Sequence, residues 1–169
     1  YKTKPDIMTM AKALTNGVQP MGAVAVADFV YETIIDTAPE NAIEFFHGYT
    51  YSGHPAACAA GIAVQRIYQE EKIFDRAAAL CDYFQNSLFS LQDLDCVRDI
   101  RGYGLIGAVE LKTKGDPGAR GWNTQKALFW NGIHVKFTGD CGIIAPPFIS
   151  EKNHIDEIMD KLRHTLKDA

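Results

Sequence analysis

The sequence predicts an α/β fold in two parts, residues 1–70 and 71–169. Three observations carry that prediction. Two short apolar runs flank a glycine turn near the start of the chain, and a helical stretch follows at once. That is the strand, turn, strand, helix order of an α/β layer. Residues 73–91 and 155–166 place apolar side chains at steps of three and four, the spacing of amphipathic helices. Between those helices lie short apolar runs bounded by glycines, which read as strands and tight turns.

Taken in order, residues 7–9 read as a short buried strand and residues 23–27 as another. Asp28 is placed to cap a helix beginning near Phe29, and Glu32 falls in its first turn, where the helix dipole favours a carboxylate. Val30 and Ile34 lie four apart on one face, and Pro39 ends the helix. Residues 45–55 are rich in aromatics, hydroxyls and glycine, and Pro55 suits the first turn of the alanine-rich helix that follows. Ala56, Ala59, Ala60, Ala63, Val64 and Ile67 give that helix a stripe of small residues. From spacing alone, Ser52 or Thr50 reads as its cap. The other reading of the loop is an anion site, made by backbone N–H groups and a threonine hydroxyl. A break around Glu70-Glu71-Lys72 precedes a second helix with Ile73, Ala77, Leu80, Phe84, Leu88 and Leu91 on one face.

Residues 97–100 read as a strand, Arg101-Gly102-Tyr103-Gly104 as a turn, and residues 105–111 as the returning strand. Residues 112–120 form a polar loop. A helix starts at Asn123 or Thr124 and runs to Trp130, with Asn131-Gly132 as its stop. Residues 133–137 and 141–144 are short strands around a Thr138-Gly139-Asp140 turn. Ser150 is placed to cap a last helix whose apolar face is Ile155, Ile158, Met159, Leu162 and Leu166.

Of 169 residues, 47% are hydrophobic and 22% charged, the balance of a soluble globular protein. A net charge of −4 leaves no basic footprint for nucleic acid. No apolar run approaches the roughly 20 residues that span a membrane, so neither nucleic acid nor membrane is an expected partner. Cys58, Cys81, Cys96 and Cys141 stand apart with no paired spacing, which predicts reduced thiols in a cytoplasmic protein. His47, His54 and Cys58 lack a fourth ligand at matching spacing, so no zinc site is expected.

Lys12 stands between Ala11 and Ala13, after one apolar run and before Gly17. That position predicts a lysine projecting from a strand end into a cavity. Burial there favours a neutral amine, the form that attacks carbonyls. Pro5, Asp6, Ile7, Ala11, Lys12, Gly17, Pro20, Gly22 and Ala23 together resemble the lysine segment of class III aminotransferases, pyridoxal 5'-phosphate (PLP) enzymes of fold type I. The resemblance extends to residues 47–55, whose histidine-proline ending is similar to that of the ω-amino acid and amine:pyruvate branch, and to Arg101-Gly102-Tyr103-Gly104.

The resemblance implies Lys12 as the Schiff-base lysine. It implies Thr50, with Tyr49 beside it, as a contact to the PLP phosphate of a neighbouring subunit, hence a homodimer or higher oligomer with shared sites. Arg101 orients its loop rather than performing chemistry. Lys136 stands where amine:pyruvate members carry an arginine for the substrate carboxylate; it offers a single point charge instead of a planar fork. Residues 1–70 are then the C-terminal part of a PLP-binding large domain and residues 71–169 a smaller α+β domain. The implied reaction moves an amino group from an ω-amino acid or amine to pyruvate or a similar keto acid. The alternatives are decarboxylation-coupled transamination, aminomutation, or a catalytically silent interaction module of the same fold. The chain opens on Tyr1 close to the lysine segment, which predicts the C-terminal portion of a longer enzyme, inactive alone. The family's ring-nitrogen aspartate and main phosphate loop would lie upstream.

Overall fold

In a computed structural model that describes residues 3–167, β1 (Ile7–Ala11) and β2 (Gly22–Val26) pair antiparallel, from Ile7 opposite Val26 to Ala11 opposite Gly22. The chain divides between Glu71 and Lys72 into two compact units. The first holds the β1–β2 ribbon, α1 (Asp28–Asp36) and α2 (Pro55–Glu70). The expected buried strand at residues 7–9 is not buried: Ile7 is 57% and Met8 47% exposed. Among the described residues of this unit the sheet is a two-stranded ribbon, and most of its side chains stay exposed.

α1 is capped at Ala27 without a side-chain bond, so Asp28 is its first residue rather than its cap. There its carboxylate still meets the positive end of the helix dipole. The helix ends at Asp36 with Thr37 as its C-cap, whose N–H and Oγ1 both donate to the Thr33 carbonyl, at 3.2 and 2.6 Å, and Pro39 follows two residues on, where the helix cannot continue. Val30 and Ile34 share its half-buried face. α2 begins at Pro55 after His54, and neither Ser52 nor Thr50 caps it. Its inward face is Ala57, Gly61, Val64 and Tyr68, while Ala56, Ala59, Ala63 and Ile67 of the expected stripe are exposed. Gly61 explains the rotation. A Cβ there would sit 3.3 Å from Met21 Sδ and 3.6 Å from the Leu14 carbonyl, so the helix backbone packs closely against the β1–β2 loop here.

Lys72, in the left-handed conformation (φ 50°), opens the second unit and precedes α3 (Ile73–Phe89). β3 (Val97–Tyr103), β4 (Ile106–Leu111), α4 (Ala119–Trp130), β5 (Lys136–Thr138), β6 (Cys141–Ile144) and α5 (Lys152–Lys167) follow. The strands form an antiparallel sheet in the order β3-β4-β6-β5. Gly107, Val109 and Leu111 alternate onto the buried face of β4. Val97 and Ile100 on β3, three apart, both reach the core because a bulge between Val97 and Asp99 shifts the register. The core joins Phe84 and Leu88 of α3, Leu128 of α4, and Ile155, Met159, Leu162 and Leu166 of α5, the α3 and α5 residues being those their spacing predicts.

The sequence places the β3–β4 turn too early. β3 runs on through Tyr103, and Gly104 (φ +58°) with Leu105 forms a two-residue turn. Gln85 Nε2 holds that turn by donating to the Gly104 and Ile106 carbonyls at 2.7 and 3.2 Å. Gly102 belongs to the strand, paired opposite Gly107, and lies close under Gln85: a Cβ there would lie 2.0 Å from Gln85 Oε1. Arg101 is engaged on the sheet's other face by Asp99 at 2.7 Å and Glu110 at 2.9 Å.

α4 starts at Ala119, earlier than expected, because its cap comes from a distant residue. Asp140 accepts hydrogen bonds from the Gly121 N–H (2.9 Å), the Gly118 N–H (3.3 Å) and Thr113 Oγ1 (3.0 Å). The Gly121 N–H, above all, holds the Asp140 carboxyl below its ordinary range. Its stabilisation is therefore present above about pH 4, the unfolded value. It is lost as pH falls through the lower folded value. Asp140→Ala is expected to cost about 0.5–2 kcal/mol at pH 7, as for a lost helix cap. Thermal melts should show the gap from wild type closing at strongly acidic pH; a gap independent of pH would contradict the charged cap. α5 likewise starts after Glu151 rather than Ser150: the Glu151 N–H donates to His154 Nδ1 at 3.0 Å, and its carbonyl accepts from His154 and Ile155.

All four cysteines are free thiols. Among the described residues, no group of His, Cys, Asp and Glu is placed to hold a metal, and no helix is long and apolar enough to cross a membrane.

Candidate functional site

Lys12 follows β1 directly and adopts the left-handed conformation, φ 56°. A lysine seldom does this, since Cβ then crowds the backbone. Hydrogen bonds fold the loop behind it. The Thr15 N–H donates to the Lys12 carbonyl at 3.2 Å, and the Val18 N–H to the Thr15 carbonyl at 3.2 Å. Thr15, only 1% exposed, donates its hydroxyl to the Gln19 carbonyl. From α2, Tyr68 donates its hydroxyl to the Ala13 carbonyl at 3.0 Å. The lysine side chain is exposed rather than set in a cavity, as are most side chains of the two-stranded ribbon that carries it. No described carboxylate forms an ion pair with it.

Thr50 opens the turn before α2, closed by the Ser52 N–H donating to the Tyr49 carbonyl at 2.9 Å. With Ser52, His54, Ala57 and Pro20-Met21 it lines an open cavity of about 700 Å³. None of the lining residues is acidic, and the first turn of α2 borders the space. A helix start, glycines and the hydroxyls of Thr50, Tyr51 and Ser52 make a donor set suited to an anion. The cavity thus brings Thr50 to the far half of the Lys12 loop, but Lys12 itself and Tyr49 are not among its lining residues. Tyr49 instead meets the His47 ring edge-on at 5.0 Å, with Phe45 stacked on the other side at 5.8 Å. Lys136 is the first residue of β5, exposed and opposite Ile143 on the edge of the second unit's sheet.

Sequence reading missed Thr15 and Tyr68. Thr15 carried a usable signal, a hydroxyl four residues before an accepting carbonyl in a turn-forming stretch. Tyr68 carried none, as it reaches the loop across 55 positions of sequence.

The sequence profile of the aminotransferase class-III family matches residues 1–166. The chain is 44% identical to the omega-aminotransferase of Caulobacter vibrioides, over 98% of this chain and 38% of that protein. It is 40% identical to the beta-alanine–pyruvate aminotransferase of Pseudomonas aeruginosa, again over 98% of the chain and 38% of the relative. The crystal structure of the omega transaminase from Pseudomonas jessenii in complex with PMP superposes with a TM-score of 0.91 at 30% identity, covering 98% of this chain and 38% of that one. The chain thus spans about 38% of the length of the curated relatives it matches. On sequence and fold together, the chain belongs to the class-III aminotransferase family.

Proposed function

We propose that this chain contributes the cofactor-bearing lysine and one phosphate contact to a PLP-dependent transaminase, which moves an amino group from an ω-amino acid or amine to pyruvate or a similar keto acid. The observation that carries the reading is Lys12: an amine at a strand end that pairs with no described carboxylate, on a backbone held in a conformation lysine rarely adopts. The relatives' own names, an omega-aminotransferase and a beta-alanine–pyruvate aminotransferase, support the substrate class. PLP, when bound, supplies the electron-withdrawing ring that makes the exchange possible. Lys12 Nζ would hold the cofactor, and as a free amine would accept the proton from the substrate's amine-bearing carbon. Thr50, backed by the start of α2, holds a phosphate belonging to a neighbouring copy, and Tyr49 stands beside it; the absence of any acidic residue from the cavity lining fits that charge. In this reading residues 1–70 complete a large cofactor domain, residues 71–169 form the small domain, and the longer enzyme is a cytoplasmic homodimer or higher homo-oligomer. The four free thiols of this chain fit that compartment. Borohydride treatment of the PLP-loaded full-length protein, followed by peptide mapping, should find the cofactor on Lys12; recovery on another lysine sinks the assignment.

Thr50→Ala removes a neutral-to-charged hydrogen bond worth about 1.5–3 kcal/mol. PLP retention, measured by equilibrium dialysis, should weaken roughly ten- to hundredfold. Unchanged retention would remove Thr50 from the phosphate site, and a fully active monomer would remove the shared-site arrangement.

Lys136 is proposed to receive the carboxylate of the keto-acid acceptor as a flexible point charge. Lys136→Met should raise the apparent constant for pyruvate about ten- to hundredfold and leave that for an uncharged amine donor almost unchanged. Lys136→Arg should keep acceptor binding. If neither substrate responds, Lys136 is an edge-strand charge that discourages sheet pairing and nothing more.

A further inference from the structure

Among the described residues, three non-glycine positions adopt left-handed backbone: Lys12, Asn16 and Lys72. Two of them lie in the β1–β2 loop. Asparagine tolerates that conformation through its short polar side chain; lysine has no such compensation. Something else therefore keeps Lys12 there, and the hydrogen bonds of the loop show what it is.

The loop is held from inside and from behind. Inside, Thr15 is the only fully buried polar side chain among the described residues of its unit, and its hydroxyl ties the middle of the loop to Gln19 near the end. The Thr15 N–H meanwhile binds the Lys12 carbonyl. From behind, the Tyr68 hydroxyl on α2 binds the carbonyl of Ala13, the residue next to the lysine. Gly61, two turns earlier on α2, leaves room for the Leu14 carbonyl to approach. The Lys12 side chain takes no ion pair from the described residues. Its starting direction is therefore set by the backbone at Cα, and the two hydroxyls tie the loop next to that backbone, Tyr68 at Ala13 and Thr15 at Gln19.

We infer that Thr15 and Tyr68 are positioning residues, which lock the left-handed turn at Lys12 and so aim its amine. The inference rests on the reading of Lys12 as the cofactor-bearing lysine. A backbone relaxed toward the right-handed region swings the Cα–Cβ bond of Lys12. The amine still reaches the cofactor through four flexible carbons but no longer sits in line for proton transfer. The effect belongs in kcat rather than KM, since neither hydroxyl is assigned a substrate contact.

The test uses the full-length, PLP-loaded protein and the variants Thr15→Val, Thr15→Ser and Tyr68→Phe. Tyr68→Phe removes one hydroxyl at a half-buried site, so it preserves the fold even if Thr15→Val does not. In Tyr68→Phe and Thr15→Val, kcat should fall about ten- to hundredfold with KM nearly unchanged, the size expected for a reacting group moved by about 1 Å. The pH midpoint of the cofactor's visible band should shift, Thr15→Ser should restore it, and in the cofactor-free protein the Thr15 and Val18 amides should exchange hydrogen faster than in wild type. Wild-type kcat and band midpoint in Tyr68→Phe, with the cofactor mapped to Lys12, overturn the positioning role alone. A cofactor mapped to a different lysine in wild type overturns the reading of Lys12 and the positioning role with it.

Discussion

On the proposed reading of Lys12 as attaching amine and proton carrier, turnover of the full-length, PLP-loaded protein should fall about a thousandfold or more in Lys12→Ala; a positioned acid–base group alone contributes about 10²–10⁴. The fold should not pay for the change. Lys12 is exposed, and the loop's hydrogen bonds use its carbonyl rather than its side chain. Alanine meets the same left-handed penalty as lysine, since both carry a Cβ. The expected stability change is within about 0.5 kcal/mol, as for a surface site. Steady-state turnover with an ω-amino acid and pyruvate, read beside a circular dichroism melt, separates the two effects. Turnover within a few-fold of wild type would rule out Lys12 as the reacting amine. A collapsed melt would make the loss of activity a folding effect and contradict the exposed placement.

The largest expected loss of stability is at Phe84→Ala. Phe84 is fully buried on α3, in the one cluster that joins α3, the sheet, α4 and α5. Truncating such a ring costs about 3–5 kcal/mol, the lost transfer energy plus the cavity left behind. The better helix propensity of alanine returns only about half a kcal/mol. Set against a domain stability of about 5–15 kcal/mol, the loss is a large share of the whole. Urea titration should show the midpoint falling with the slope unchanged. A midpoint within the scatter of wild type would mean that the helices do not close over Phe84.

The contrast between these two sites also marks what the sequence makes legible. Phe84 could be placed because α3 mixes large apolar and polar residues at steps of three and four, and burial follows that contrast. α5 is similar. The first half of α2 is rich in alanine, so several of its faces look alike, and the true one is chosen by Gly61 approaching the Leu14 carbonyl. The start of α4 was hidden for a different reason. Its cap, Asp140, arrives from the far end of the β5–β6 turn, and local capping rules see only neighbours. The lysine segment and the Thr50 loop were recognisable as motifs, and family membership follows from the comparisons. The left-handed backbone at Lys12 and its tether to Tyr68 were not recognisable, because each depends on contacts made after the chain has folded.

Cys96 offers a built-in clock for the second unit. Its thiol is buried and bonded to the Leu166 carbonyl at 3.2 Å, and burial pushes its ionisation upward. Only the ionised sulfur attacks an alkylating reagent. Cys58, Cys81 and Cys141 are only half-buried. Under a mild pulse of reagent, modification at Cys96 therefore requires the end of α5 to lift from the residue just before β3, and its rate reports how often that contact opens. Mass spectrometry can follow this one sulfur in the intact protein, and the other three serve as the internal reference for reagent strength.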